Sequence, residues 1–208
     1  MQQTGISPQT LKTLKLIADL DFVKGYYLAG GTACALHLGH RLSYDLDFFS
    51  TDSSLPEEIR NFLLKRGHLE IYQNEVDTFN GSLNGTKLSF FKYPYPLLQP
   101  LTNFEGIKVA SLPDLACMKL EAIASRGVKR DFIDLYFILK WVELKQAAVW
   151  FEKKYSQQNI SFSHVLKSLV YFDDAESDPL PKMLKVVKWE EIKLFFRQEV
   201  KKWMEELK

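Results

Sequence analysis

The sequence predicts an α+β protein, with a small mixed β-sheet flanked by helices in residues 1–110 and a mainly helical C-terminal lobe, residues 111–208, packed on that core. Three observations carry this reading. Segments of β-type composition or two-residue alternation crowd residues 25–110. A strong two-residue hairpin signal, Asn84-Gly85, sits among them. From residue 111 onward apolar side chains recur at three-to-four spacing almost to the end.

Ser7-Pro8 followed by Leu11, Leu14, Leu16 and Ile17 reads as a capped helix with proline in its first turn. Tyr26-Tyr27-Leu28 is a short strand broken by Gly30-Gly31, and Thr32–Leu38 is a short helix stopped by Gly39. Asp45-Leu46-Asp47-Phe48-Phe49 is a second strand. A helix capped by Ser53 or Ser54, with Pro56-Glu57-Glu58 in its first turn, ends at Gly67. Leu69–Glu75, Thr78–Leu83 and Lys87–Tyr93 alternate as three strands, the last ended by Tyr93-Pro94-Tyr95-Pro96 because proline cannot continue a ladder. Ile107-Lys108-Val109 is extended. Ser111-Leu112-Pro113-Asp114 then opens the helical half, which Gly127 and the stretch Asp173–Pro181 interrupt. A final helix runs from Trp189 to Leu207.

Twenty-seven basic against 26 acidic side chains leave a net charge of +1, so any polyanion must be met by a local patch rather than by the whole molecule. Cys34 and Cys117 lie far apart with no Cys-x-x-Cys spacing, which excludes a disulfide framework and a cysteine zinc site. The first residues lack the basic start and apolar stretch of a signal peptide, and no apolar run reaches the ~18 residues needed to span a bilayer. The expectation is a cytoplasmic protein without a membrane partner.

Leu28-Ala29-Gly30-Gly31-Thr32 followed by Asp45-Leu46-Asp47 is the most informative segment. A glycine pair between strand and helix lets backbone approach a ligand closely, and the helix start offers free N–H groups that favour phosphate. Side chains alternate along a strand, so Asp45 and Asp47 share one face, where two carboxylates can hold a hard cation such as Mg²⁺ beside substrate phosphates. Taken singly, Gly-Gly is a turn and Asp-x-Asp a solvated or capping pair; strand–turn–helix–strand order makes them more specific together. His37 and His40 are three apart beside this segment, but no third nitrogen or thiolate ligand lies near in sequence, which favours packing.

A second cluster follows. Lys119 and Arg126 are seven apart on one helix and project to nearly the same side, with the small residues Ala122 and Ser125 leaving room beside them. Snorkelling from a core helix is the other reading of Lys119. Asp131 and Asp134, three apart after Lys129-Arg130, share a face in the first turn of the next helix, where capping alone also accounts for them.

The run Tyr27-Leu28-Ala29-Gly30-Gly31-Thr32-Ala33, continuing to Leu38-Gly39-His40-Arg41-Leu42-Ser43-Tyr44-Asp45-Leu46-Asp47-Phe48-Phe49, closely resembles the signature of the AbiEii/AbiGii toxin family of the polymerase-β-like nucleotidyltransferase superfamily. The Lys119 helix and the Lys129-Arg130-Asp131-Phe132-Ile133-Asp134 segment resemble its later motifs. The resemblance covers about residues 25–140, and the chain beyond adds little to it. It implies a nucleotidyltransferase-like core in which Asp45 and Asp47 bind Mg²⁺ and Gly30, Gly31 and Thr32 hold a triphosphate. Lys119 contacts phosphate with help from Arg126, Asp131 is the catalytically required carboxylate, and Asp134 is structural.

The same resemblance implies the toxin half of a toxin–antitoxin or phage-defence pair. Such a protein transfers a nucleotide from GTP or a pyrimidine triphosphate to RNA, particularly tRNA acceptor ends, and has a cognate antitoxin. Lys65-Arg66 and Lys129-Arg130 are basic pairs able to meet an RNA backbone. One departure stands out: superfamily members carry a third carboxylate on a neighbouring strand, where this chain has Ser89, with Glu75 and Asp77 the candidate substitutes. That leaves open a nucleotide-binding or regulatory module that no longer transfers. A nucleotidyltransferase acting on a small molecule is also open.

Overall fold

In the computed structural model the described residues are 1–51, 59–157 and 160–206. Helix α1 (Pro8–Ile17) starts as its sequence dictates: Ser7 Oγ accepts from the Thr10 amide at 3.0 Å, and Pro8 occupies the first turn. Strand β1 (Tyr27–Leu28) leads directly into α2 (Gly30–Leu38), so the glycine pair forms the first turn of the helix rather than a turn before it. Gly39, with φ +58, closes α2 in the left-handed conformation that favours glycine.

Strand β2 (Leu46–Ser50) begins one residue after Asp45. Helix α3 (Ile59–Leu64) is the described part of the next helix; its expected start at Ser53 or Ser54 with Pro56-Glu57-Glu58 lies outside the described residues. Strands β3 (Leu69–Glu75), β4 (Thr78–Leu83) and β5 (Thr86–Lys92) form an antiparallel meander. Asn84 (φ 51) and Gly85 (φ 79) turn β4 into β5, the pair of positive φ angles that their sequence favours. A second hairpin, β6 (Thr102–Phe104) and β7 (Ile107–Val109), completes the sheet; β6 was not expected, being too short and polar to alternate.

Among the described residues the sheet has seven strands in the order β3-β4-β5-β2-β1-β7-β6. It is mixed: β2 runs parallel to β5 and antiparallel to β1, and β1 runs parallel to β7. One face of the central strands is a dry core. Leu46, Phe48, Leu88 and Phe90 are fully buried, and Phe48 stacks on Phe90 with centroids 5.0 Å apart. Each such side chain contributes about 1.5–3 kcal/mol by leaving water. The alternate residues, Asp47 and Phe49 on β2 and Ser89 and Phe91 on β5, face the other way, in the register Asp47↔Ser89 and Phe49↔Phe91.

The helical half comprises α4 (Leu112–Ser125), α5 (Lys129–Ile138), α6 (Leu144–Lys154), α7 (Phe162–Ser168), the short α8 (Asp173–Glu176) and α9 (Trp189–Glu206). Two apolar clusters meet along α4: Leu115, Ala116 and Met118 belong to the sheet core, while Cys117, Leu120 and Ile123 join Phe132, Phe151 and Phe196 among the helices. Burial pushes the Cys34 and Cys117 thiols up to about 12, so both stay protonated and unreactive. No helix among the described residues is long and apolar enough to cross a membrane.

A buried ion pair ties the two halves together. Lys154 Nζ donates to Asp114 Oδ1 at 2.8 Å and to the Pro96 carbonyl at 2.8 Å, and neither charged side chain is exposed. Asp114 also accepts from the Leu98 amide at 3.0 Å and from Ser111 Oγ at 2.7 Å, so one carboxylate holds the chain after β5, the start of α4 and the end of α6. Removing one partner of such a pair strands a buried charge, at a cost of about 3–5 kcal/mol. Lys154→Met is therefore expected to lower unfolding free energy by about that amount in urea titration. A loss below about 1 kcal/mol contradicts this account.

Candidate active site

The outward face of β2 and β5, the start of α2 and one face of α4 enclose a cleft of about 830 Å³. Gly30, Gly31, Asp45, Asp47, Lys119 and Arg126 all border it, so the structure gathers six of the sequence-predicted residues at one place. Asp45 and Asp47 stand together at the start of β2. Asp45 is 38 % exposed and lies 3.9 Å from Arg130; the Asp47 side chain makes no hydrogen bond or ion pair among the described residues. Burial, then the negative charge of Asp45, raises the Asp47 pKa, and Lys119, Arg126 and Arg130 only partly offset this. Two carboxylates side by side, one without an ion pair and the other meeting only Arg130 at 3.9 Å, are a donor set that fits a divalent cation.

The glycine pair has specific causes. Gly30 sits at φ +63, and a Cβ there would come within 2.8 Å of Asp47 Oδ2. A Cβ on Gly31 would overlap Arg41 Nη2. Because no side chain caps α2, its first amide groups are left for a ligand, with the helix dipole favouring an anion.

Three of the expected site residues are engaged by protein partners. Thr32 is 1 % exposed; its hydroxyl donates to Ser43 Oγ at 2.8 Å and also bonds the Asp45 carbonyl, so it fixes the loop before β2 and is not offered to a triphosphate. Lys119 borders the cleft but is only 4 % exposed, with Nζ 2.7 Å from Asp131 Oδ1 and 2.7 Å from Asp134 Oδ2. Asp131 is fully buried; both of its oxygens accept from Arg126 and Oδ1 also from Lys119. These cations outweigh burial and hold its pKa below the usual carboxylate range.

Asp134 is the centre of this network. It accepts from Arg41 Nε at 2.7 Å and Nη2 at 2.8 Å, pairs with Lys119, and lies 2.8 Å from His40 Nε2. Burial opposes its charge, but Arg41 and Lys119 hold its pKa well below the ordinary value. His40 is thus a packing partner, and His37 Nε2 bonds the Ala110 carbonyl at 2.8 Å. Among the described residues no group of three histidine, cysteine or acidic side chains could hold a metal.

The candidate third carboxylate is absent from the sheet. Ser89 lies beside Asp47 in register, whereas Asp77 pairs with Lys92 at 3.7 Å and Glu75 accepts from Gln73 at 3.0 Å, and neither borders the cleft. Of the basic pairs, Arg66 bonds Asp19 away from the cleft, and Lys129 turns inward to the Glu176 and Asp178 carbonyls. Arg130 alone of the four faces the cleft.

Residues that the sequence reading did not assign also border the site: Arg41, Ser43, Glu121, the aromatic wall of Phe49, Phe91 and Tyr93, and the segment Asp178–Pro181. Arg41 and Ser43 lay inside the quoted motif, and Glu121 follows from the cleft-facing spacing Met118, Glu121, Ala122, Ser125. Residues 178–185 form a strap over the loop before β2. Leu42 N donates to the Lys182 carbonyl at 2.8 Å, Leu184 N to His40 O at 2.8 Å, and Lys185 Nζ to Leu38 O at 2.7 Å.

A mixed sheet with an uncapped glycine helix start and a paired carboxylate strand defines a polymerase-β-like nucleotidyltransferase fold, and solved structures agree. The nucleotidyltransferase toxin MenT4 from Mycobacterium tuberculosis H37Rv superposes with a TM-score of 0.57 at 13% identity, over 92% of this chain and 81% of MenT4. ANT(2″)-Ia, in complex with adenylyl-2″-tobramycin, gives 0.52 at 14% identity, over 73% of this chain and 99% of that one. The sequence model described as nucleotidyl transferase AbiEii toxin, type IV TA system, matches residues 86–204, and the chain belongs to that family. The match extends well past residue 140, so the C-terminal helices carry more family character than the motifs alone suggested. An uncharacterised protein of Aquifex aeolicus (strain VF5) is 41% identical over 205 residues, 93% of this chain and 95% of that protein.

The network has a pH signature. Asp134 titrates near its usual ~3.9 in the unfolded chain and well below it when folded, so its contribution is complete above about 5 and is lost as pH falls through the unfolded value toward the folded one. His40, held neutral by burial, adds a loss of the same sign below about 6.5. The denaturation midpoint is expected to fall steeply on acidification below about pH 4, and less steeply in Asp134→Asn; a midpoint that rises on acidification contradicts it. Gly31→Ala, by pushing Arg41 from Asp134, is expected to cost about 1–3 kcal/mol, read in the same titration.

Proposed function

We propose that the protein is a Mg²⁺-dependent nucleotidyltransferase toxin that moves a nucleotide from a nucleoside triphosphate to RNA. The observation that carries the reading is the carboxylate pair Asp45 and Asp47, offset only by Arg130 at 3.9 Å from Asp45, facing a cleft whose other borders include an uncapped helix start and two exposed arginines. Asp45 and Asp47 would hold Mg²⁺, which supplies Lewis-acid stabilisation of charge on the transferring phosphorus. The amide groups at the start of α2 would take the β- and γ-phosphates, with Gly30 and Gly31 letting them approach.

Arg126 supports charge on the departing pyrophosphate, its guanidinium aimed by Asp131 through Nε at 2.9 Å and Nη2 at 3.2 Å. Lys119 and Asp131 thereby act as positioning residues, and Arg130 stands beside Asp45 to meet phosphate or acceptor backbone. MenT4, a nucleotidyltransferase toxin, supports the toxin reading, and with it a cognate antitoxin; the donor class proposed from the motif resemblance is GTP or a pyrimidine triphosphate. A small-molecule acceptor is the second reading, favoured by the fold shared with ANT(2″)-Ia and by the aromatic wall of the cleft.

The test is transfer of label from each of four α-labelled triphosphates, with Mg²⁺, to total RNA. Wild type is expected to label RNA with one preferred donor, and Asp45→Asn or Asp47→Asn to reduce this by at least ~10³-fold. Bound triphosphate with no labelled RNA excludes the RNA acceptor. Absence of triphosphate binding by calorimetry sinks the nucleotide reading.

A further inference from the structure

The cleft is charged at one end and aromatic at the other. At the charged end a Cβ on Gly30 would come within 2.8 Å of Asp47 Oδ2, Arg41 Nη2 fills the space beside Gly31, and Arg130 stands 3.9 Å from Asp45. Asp45, Asp47 and Phe49 follow one another at two-residue steps and all border the cleft. Each step is about 7 Å along the strand, so the aromatic end begins one step beyond the carboxylates. The sheet register carries this order across to β5, where Phe91 lies opposite Phe49 as Ser89 lies opposite Asp47.

Packing alone does not account for these rings. Phe48 and Phe90 fill the sheet core and are fully buried, whereas Phe49 and Phe91 on the opposite face are only half-buried and border the cleft. Phe91 joins neither of the two apolar clusters. The Phe49 and Phe91 rings have centroids 5.4 Å apart and planes 34° from parallel, which makes a floor of two rings. Tyr93 rises beside Phe49 at 73° and 5.4 Å as a side wall. It is held there by a hydroxyl contact to Tyr155, by the Tyr95 ring at 4.5 Å and by Lys154 Nζ 5.7 Å from its own ring. Among the described residues neither phenylalanine has a ring contact with a helix. Aromatic surface left partly wet on a cleft floor forgoes burial that a flat ligand would supply.

Resting on the nucleotidyl-transfer reading, we propose that Phe49 and Phe91, with Tyr93 at their side, form the platform on which the nucleobase of the donor triphosphate stacks. A cleft of this polarity fits a ligand with polyphosphate at one end and a planar ring at the other, and a nucleoside triphosphate joins both in one molecule. With its phosphates between the start of α2 and the carboxylate pair, its ribose spans the step from Asp47 to Phe49 and its base covers the two rings. The cleft volume of about 830 Å³ lies within the range of about 300–1,000 Å³ usual for one small ligand. An aromatic floor holds any base by its π-face, so the platform supplies affinity and orientation rather than base identity. A base anchored there keeps the α-phosphorus over Asp45 and Asp47.

The test compares calorimetric binding of each of the four nucleoside triphosphates with that of inorganic tripolyphosphate, which carries the charge without the ring, all with Mg²⁺. The proteins are wild type, the Phe49→Leu, Phe91→Leu double variant, and Phe91→Tyr. Wild type is expected to bind its best nucleoside triphosphate more tightly than tripolyphosphate. The double variant is expected to lose about 5–100-fold in nucleotide affinity while binding tripolyphosphate as wild type does. Phe91→Tyr, which keeps both rings, retains the wild-type preference. A purely structural role moves both ligands together. Equal weakening of both, or nucleotide affinity in the double variant within two-fold of wild type, therefore overturns the inference and leaves the transferase reading standing. A raised KM for RNA at unchanged nucleotide affinity also overturns it, giving the platform to the acceptor. If wild type binds neither ligand, the nucleotide reading falls and this inference with it.

Discussion

Everything that shapes the cleft depends on two carboxylates that never reach it. Asp131 and Asp134 sit one helical turn apart on α5 with no exposed surface, and between them they hold Lys119, Arg126, Arg41 and His40. Burying so many charges costs several kcal/mol each unless every one is matched, and here the matching is close to complete. The return is placement. Lys119 links the two aspartates across α4 and α5, Arg126 is aimed along the cleft, and Arg41 is fixed beneath the start of α2.

The glycine pair belongs to the same arrangement. Arg41 reaches Asp134 by passing the position where a Gly31 side chain would be, and Asp47 packs against the bare Cα of Gly30. A motif that resembles a device for letting phosphate approach is equally a device for letting protein side chains approach. The missing Cβ atoms leave room for Asp47 and for the Arg41 guanidinium, whatever else the start of α2 meets.

Much of the fold was legible, because period-two alternation and turn chemistry are local. The three strands between 69 and 93 and the capped starts of α1 and α4 follow from their own residues. Strand order was not, since nothing in Tyr27-Leu28 says that it will lie between β2 and β7. At the site, the identities of Asp45, Asp47, Lys119 and Asp131 were legible as a pattern, but their burial was not. Whether a lysine meets phosphate or a carboxylate depends on which helix packs over it, and Lys119 is covered by α5. Glu121 was hidden for the converse reason: flanked by Leu120 and Ala122, it reads as an ordinary helix-surface acid until α4 is laid across the sheet.

The strap of residues 178–185 has a consequence for how the protein is made. The loop from His40 to Asp45 donates through the Leu42 amide to the Lys182 carbonyl and accepts at the His40 carbonyl from the Leu184 and Lys185 amides, which lie about 140 residues later in the chain. A ribosome that has synthesised the glycine pair and both cleft-facing aspartates has not yet synthesised what secures them. The nascent chain thus carries Gly30, Gly31, Asp45 and Asp47 long before the segment that fastens their loop exists.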